Sequence, residues 1–356
     1  MSPIMMDMRS DVLTQPCAKQ RQAMAEADVG DDVFLEDPTV KKLESYCAKL
    51  FGTEAALFVT SGCMGNLLSI MSHCTGRRDC EMIVGRQQHI CKYEQGSFAR
   101  FIGVSSLIVP NEPDGTIALS AIEDAVRDHS DIHQPKTEVV CLENTHNVCG
   151  GTVIPVEYFK QVRALADRYG LKVHLDGARL YNAAVAANRP ISDWVQYVDS
   201  LSFCLSKSVG APIGSVIGGK KQFIEEARRC RKAIGGGWRQ AGGIAAAALV
   251  ALESAPQRLA VDRDRAKQLA KGVNALKCPK MRIEPEPQSN IIMIVCDGVP
   301  AQTVAEMLED PSTGPSVRGF AESAHRVRLV MHSSVPDQVV NEALNKFKIV
   351  AQALTK

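Results

Sequence analysis

Between residues 55 and 220, short apolar or β-branched runs alternate with longer segments of helical period, and no other feature of the chain restricts its folding as much. Strand followed by helix, repeated, is the pattern of a mostly parallel sheet, because parallel neighbours need a long crossover and the crossover covers a sheet face. The runs are Ala55–Val59, Met82–Val84, Ser106–Val109, Glu138–Leu142, Leu171–Leu175, Ser200–Leu205 and Ser215–Ile217, enough for one seven-stranded sheet between helices. Asp37-Pro38 opens a helix running to Leu50, Ser120 with Glu123 opens another in the capping pattern, and Pro155 to Tyr169 reads likewise. After Gly235-Gly236-Gly237 the pattern predicts an Ala-rich helix and then a separate charged one, Gln257 to Lys271.

Past residue 250 the character changes. Ile291–Val295 and Val327–Met331 read as strands, and Ala301–Leu308 and Asp337–Ala353 as helices, which makes a small α+β unit. A chain of 356 residues exceeds one usual hydrophobic core. The expectation is a large α/β domain over 1–250, with an amino-terminal arm over 1–15, and a small domain over 251–356.

Hydrophobic residues are 45% and charged residues 23% of the chain, enough to build a sizeable interior. Lys plus Arg number 41 against 40 Asp plus Glu, so no excess positive field is present to hold a nucleic acid or an anionic membrane. A small-molecule partner is expected. Ala241 to Leu252 falls short of the ~20 residues of a membrane span and reads as a buried helix. The first residues show no basic-then-apolar secretory pattern. Twelve cysteines are scattered without a Cys-x-x-Cys pair, which predicts free thiols in a reducing, cytoplasmic compartment.

Ligands of open α/β sheets bind outside the carboxyl ends of strands, so the polar residues after each apolar run belong together. After Ala55–Val59 comes Thr60-Ser61-Gly62-Cys63, a small-residue turn entering a helix, which would present backbone N–H groups to an anion such as phosphate. Alone it is also an ordinary strand-to-helix turn. Asp176 ends the run Lys172 to Leu175; its carboxylate can keep a heterocyclic nitrogen protonated or cap a helix, and Arg179 can take a carboxylate in bidentate fashion. Lys207 follows Cys204-Leu205-Ser206 and precedes Val209-Gly210-Ala211-Pro212. Those neighbours would desolvate its ammonium, as a lysine that bonds to an aldehyde requires. Phosphate turn, ring-nitrogen acid and shielded lysine, in that order, are the inventory of a fold-type I pyridoxal-phosphate enzyme.

Several segments carry a closer likeness: Arg9-Ser10-Asp11, Val29-Gly30-Asp31-Asp32-Val33, Glu36-Asp37-Pro38-Thr39, Glu143-Asn144-Thr145-His146-Asn147, His174-Leu175-Asp176-Gly177-Ala178-Arg179, Cys204-Leu205-Ser206-Lys207 and Val327-Arg328-Leu329-Val330. With them the chain resembles the low-specificity L-threonine aldolases over nearly its whole length. The resemblance implies pyridoxal 5'-phosphate carried covalently on Lys207, with Asp176 at the pyridine nitrogen and Gly62 with Cys63 at the phosphate. Lys232 and Arg239 would reach the phosphate from a neighbouring subunit of a homotetramer built as a dimer of dimers. Ser10, Arg179 and Arg328 would clasp the substrate carboxylate, His89 would stack on the cofactor ring, and His133 would lie near the substrate hydroxyl. The implied reaction is reversible aldol cleavage of L-threonine or L-allo-threonine to glycine and acetaldehyde, with His89, His133 or a water as base. Cys63 stands where the family usually has Thr, Phe34 where it has Tyr, and Gln134 where it has Phe.

Other readings fit less well. Gly214 to Lys220 matches Gly-x4-Gly-Lys, but Lys221 holds the place of the Ser or Thr that binds magnesium, and Ser215–Ile217 reads as strand. His129 and His133 are four apart, yet Pro135 ends any helix there and no third ligand is near, so no metal site is expected. β-Elimination, transamination and a non-catalytic binding protein remain the competing functions.

Overall fold

The computed structural model describes residues 5–77, 79–336 and 338–355; the first four residues of the expected arm, and Asp337, where the last helix was to start, lie outside them. The chain opens with strand β1 (Met5–Asp7). All seven expected runs then form strands: β2 (Ala55–Val59), β3 (Cys80–Gly85), β4 (Ser105–Val109), β5 (Lys136–Glu143), β6 (Lys172–Asp176), β7 (Ser200–Cys204) and β8 (Ser215–Gly219). They make one sheet in the order β2-β8-β7-β6-β5-β3-β4. Only β8 runs against its neighbours, β2 and β7, and the other pairs are parallel.

Alternation along each strand sorts side chains to two faces. Ala56, Phe58, Val173, Leu175, Leu201 and Phe203 point into the larger core with the helices Pro38–Phe51 and Val156–Tyr169. The opposite face of the middle strands is polar: His174 and Asp176 on β6, Ser200 and Ser202 on β7. Helix Gly62–His73 lies on that face. It approaches closely because a Cβ on Gly65 would stand 2.3 Å from Ser202 Oγ, and one on Gly62 2.7 Å from Cys204 Sγ.

Strands β9 (Met281–Ile283), β10 (Ile291–Cys296), β11 (Ser316–Arg318), β12 (Phe320–Ser323) and β13 (Arg326–Val330) follow. Four of them form an antiparallel sheet, β12-β13-β10-β9, and β1 pairs in parallel with β11. Met6 and Met8 are buried in the core of this second unit, together with the helix Val339–Thr355.

Two helix predictions are corrected. The Ala-rich and charged segments form one helix of 34 residues, Gly242–Ala275, with Pro256 inside it. Its first half, through Leu259, is buried in the larger core and its second half, from Ala266, in the smaller. Burial on both sides of Pro256 outweighs the ~3 kcal/mol that a helix-interior proline costs. By length and composition this helix could cross a membrane, but much of its apolar surface faces these two cores. Ser120 and Glu123 form no capping box: the helix there is Leu119–Asp124, its cap is Ala118, and Ser120 lies inside it.

Candidate active site

Parallel pairing sets Glu143 beside Asp176 at the carboxyl ends of β5 and β6, and Asp176 beside Ser202 in the middle of β7. Asp176 is 3% exposed. Its Oδ2 accepts from Asn66 Nδ2 at 2.9 Å and its Oδ1 from the Ala178 amide at 3.0 Å. Lys207 follows β7 in a turn, and its charge acts on Asp11, Cys63 and His89. The Lys207 Nζ makes no hydrogen bond or ion pair with any described residue. Ser61 caps the helix Gly62–His73 by accepting the Met64 amide at 3.2 Å, which leaves the Gly62 and Cys63 amides in a first turn with no intrahelical acceptor.

Behind these groups runs a buried hydrogen-bonded chain. His73 Nε2 meets Ser200 Oγ at 2.8 Å, Ser200 Oγ meets His174 Nδ1 at 2.8 Å, and His174 Nε2 meets Asn66 Oδ1 at 3.0 Å. Asn66 Nδ2 then donates to Asp176 and, at 2.8 Å, to Glu94 Oε1. Burial pushes His174 down to about 4 and His73 down to about 3, so both rings are neutral at pH 7 and each can donate from one nitrogen. The amide of Asn66 is thereby fixed with its donors toward the carboxylates.

His89 heads the short helix His89–Lys92, its amide donating to Glu143 Oε2 at 2.6 Å and its Nδ1 lying 2.7 Å from Glu94 Oε1. Burial opposes charge on this ring, but the bond to Glu94 and the charge of Asp176 prevail and raise its pKa. Cys63 is exposed, yet neighbours around its sulfur and the negative Glu94 and Asp176 push the thiol up to about 12.

A second cluster gathers the arginines. Asp11 is fully buried, and Arg179 donates to it twice, Nε to Oδ2 at 2.8 Å and Nη2 to Oδ1 at 2.7 Å. Ser208 Oγ and Asn290 Nδ2 add donors at 2.5 and 3.3 Å. Burial alone would raise the Asp11 pKa, but Arg179, Lys207 and Ser208 hold it well below the usual carboxylate range. Arg328 Nη1 and Arg179 Nη1 share Asn147 Oδ1 at 2.9 and 3.4 Å. Arg328 Nη2 donates to the Arg9 carbonyl, and its buried Nε has no partner. Ser10 caps the short turn Asp11–Leu13 beside this cluster.

The fork of Arg179, expected to clasp a ligand carboxylate, is thus committed to Asp11, and only its Nη1 side faces Arg328. His133 is not brought to the cluster within one chain. It precedes the amino end of β5 on an exposed loop, bound to Asp131, whereas Glu143 ends the same strand about 23 Å away. Lys232 is exposed, and Arg239, 56% exposed, pairs with Asp31. Asn66, Glu94, Glu143 and Asp11 were not singled out from sequence; Asp11, Glu143 and His174 stand inside the quoted motifs, which was the available signal.

A buried carboxylate, an unpaired lysine, free first-turn amides and a close-approach glycine at one sheet edge fit pyridoxal phosphate. With the large sheet and second α+β unit, they define a lyase of the fold-type I pyridoxal-phosphate class. The chain matches the beta-eliminating lyase family over residues 7–297. It is 43% identical to low-specificity L-threonine aldolase 1 of Arabidopsis thaliana, over 96% of this chain and 95% of that one. It is 40% identical to the low specificity L-threonine aldolase of Escherichia coli K12, over 78% of this chain and 82% of that one. The fold is that of the threonine aldolase of Leishmania major, with a TM-score of 0.80 at 18% identity, covering 98% and 99% of the two chains. The chain belongs to the beta-eliminating lyases and, among them, to the low-specificity L-threonine aldolases.

Proposed function

We propose that the chain cleaves L-threonine and L-allo-threonine to glycine and acetaldehyde, with pyridoxal phosphate held on Lys207. Bound there, the cofactor supplies an electron sink for the charge left on Cα as the Cα–Cβ bond breaks. Asp176 would keep a proton on the ring nitrogen. Gly62 and Cys63 would give the phosphate their first-turn amides, joined by Lys232 and Arg239 from a neighbouring subunit. Ser10, Arg328 and the Nη1 side of Arg179 would hold the substrate carboxylate, and His89 would cover the ring.

The bond to Glu94 favours charged His89, which is a poor base, so orientation suits it better. Removal of the 3-hydroxyl proton then falls to a water or, across a subunit boundary, to His133. An assembly is part of the reading: Lys232, Arg239 and His133 are exposed on the single chain, as is Phe34 at 71%. We assign a homotetramer that shares its sites, working in the cytoplasm, where the free cysteines stay reduced.

The observation that carries the proposal is the Asp176 carboxylate, buried at the end of β6, doubly bonded by donors, on the strand paired with β7, which leads into Lys207. Incubation with each threonine diastereomer, with and without added pyridoxal phosphate, tests it. Equimolar glycine and acetaldehyde are expected, and the cofactor should be required. Ammonia with a keto acid would instead identify β-elimination, and no product at all would sink the catalytic reading.

A further inference from the structure

Cys63, His89 and Glu94 come from two stretches of chain: Cys63 is the second residue of one helix, His89 the first of another, and Glu94 lies in the loop after it. The Cys63 sulfur, a ring nitrogen of His89 and a carboxylate oxygen of Glu94 all lie within 4.8 Å of one another. Glu94 is 5% exposed, and its two oxygens are treated unequally. Oε1 takes Asn66 and His89, whereas Oε2 is buried with no partner. An unpaired buried carboxylate oxygen costs about 1–3 kcal/mol, more when charged, unless some donor or cation meets it. Asp176 stands one amide away, on the same Asn66 Nδ2, so negative charge is concentrated here.

Sulfur, imidazole nitrogen and carboxylate oxygen together are a borderline-soft set, suited to zinc and poorly suited to magnesium or calcium. Tetrahedral zinc places such ligand atoms about 3.5 Å apart. Drawing in the sulfur by about 1 Å is within reach of a χ1 change at an exposed cysteine. Three protein ligands leave the fourth position for water. A hydroxyl at position 63 would be a far weaker ligand than the thiol, so the site depends on Cys63.

We propose that Cys63, His89 and Glu94 form a zinc-class site that binds the metal in the cofactor-free protein and is mutually exclusive with pyridoxal phosphate. The exclusion rests on the reading given above, in which His89 covers the ring and Cys63 belongs to the phosphate turn. Zinc then acts as an inhibitor of cofactor loading, without entering the reaction.

Cofactor-free protein titrated with Co2+ tests the site directly. One equivalent should bind and give a near-ultraviolet sulfur-to-cobalt band. Cys63→Thr should abolish that band and weaken Zn2+ binding at least about tenfold, and Glu94→Gln should weaken it with the band retained. No band in the parent, or unchanged zinc affinity in Cys63→Thr, overturns the proposal. Pyridoxal phosphate added to zinc-loaded protein should develop its visible absorbance only as zinc appears on a chromophoric chelator. Cofactor and zinc bound together would overturn the exclusion. A protein that takes zinc through Cys63 but never takes pyridoxal phosphate would sink the functional reading and leave the metal site standing.

Discussion

The Asp176 side of the site and the Arg328 side handle buried charge in opposite ways. Each Asp176 oxygen has a donor, and the donor from Asn66 is fixed by a chain of neutral rings and a hydroxyl reaching back to His73. Arg328 has no ion pair among the described residues, its Nε is orphaned, and burial together with nearby Arg179 lowers its pKa. Donors on both oxygens fix the Asp176 carboxylate, even though Glu94 Oε2 beyond Asn66 is unpartnered, whereas an under-satisfied cation favours an anion from outside. The first is a preorganised wall. The second has the properties of a carboxylate receptor, and neighbouring Arg179 differs from it because Asp11 already neutralises its fork.

The largest effect expected is at the satisfied wall. Asp176→Ala should lower turnover of threonine by at least about a thousandfold, read as acetaldehyde released, because removing the acid disables the electron sink. Near-parental turnover would remove Asp176 from the chemistry. The two arginines give the next contrast. Arg328→Gln should raise KM for threonine about tenfold to a hundredfold with little change in Tm, as loss of one charged hydrogen-bonding partner does. Arg179→Gln should instead lower stability by about 3–5 kcal/mol, since it leaves Asp11 buried and unpaired. If both variants changed only KM, Asp11 would not be the structural partner that the hydrogen bonds make it.

Much of this was legible in the chain. The seven strands of the large sheet are short runs rich in apolar and β-branched residues, and their length sets them apart from helices. Strand ends therefore located Gly62, Asp176 and Lys207 directly. Four short strands, Met5–Asp7, Met281–Ile283, Ser316–Arg318 and Phe320–Ser323, were missed because three or four residues carry no period and their pairing is decided by distant partners. The change from Ala-rich to charged composition was read as two helices, and packing against two cores at once explains the single helix that runs through Pro256. Asn66 and Glu94 escaped notice for a related reason: a polar residue within a helix or loop reads as solvent-facing until the sheet supplies a polar face opposite it. His133 illustrates the converse, since a motif match does not say that a residue reaches the site of its own chain.

The long helix offers the smallest test and extends the contrast to a buried acid outside the site. Asp262 is 2% exposed, with Oδ2 unpartnered. Burial pushes its pKa up from 3.8 to about 6, against the pull of Arg265 and Arg258. Folded protein therefore binds more protons at this carboxyl than unfolded protein does between those two pH values. Its contribution to stability is fully present below pH 3.8 and is lost as pH rises through 6. The shift corresponds to about 2–3 kcal/mol. Asp262→Asn has no such titration, so its stability relative to the parent should climb by that amount from pH 4 to pH 7. Denaturant unfolding at both values measures the difference. Parallel behaviour of the two proteins would mean that Arg265 and Arg258 offset the burial of Asp262, and would remove this carboxyl from the contrast.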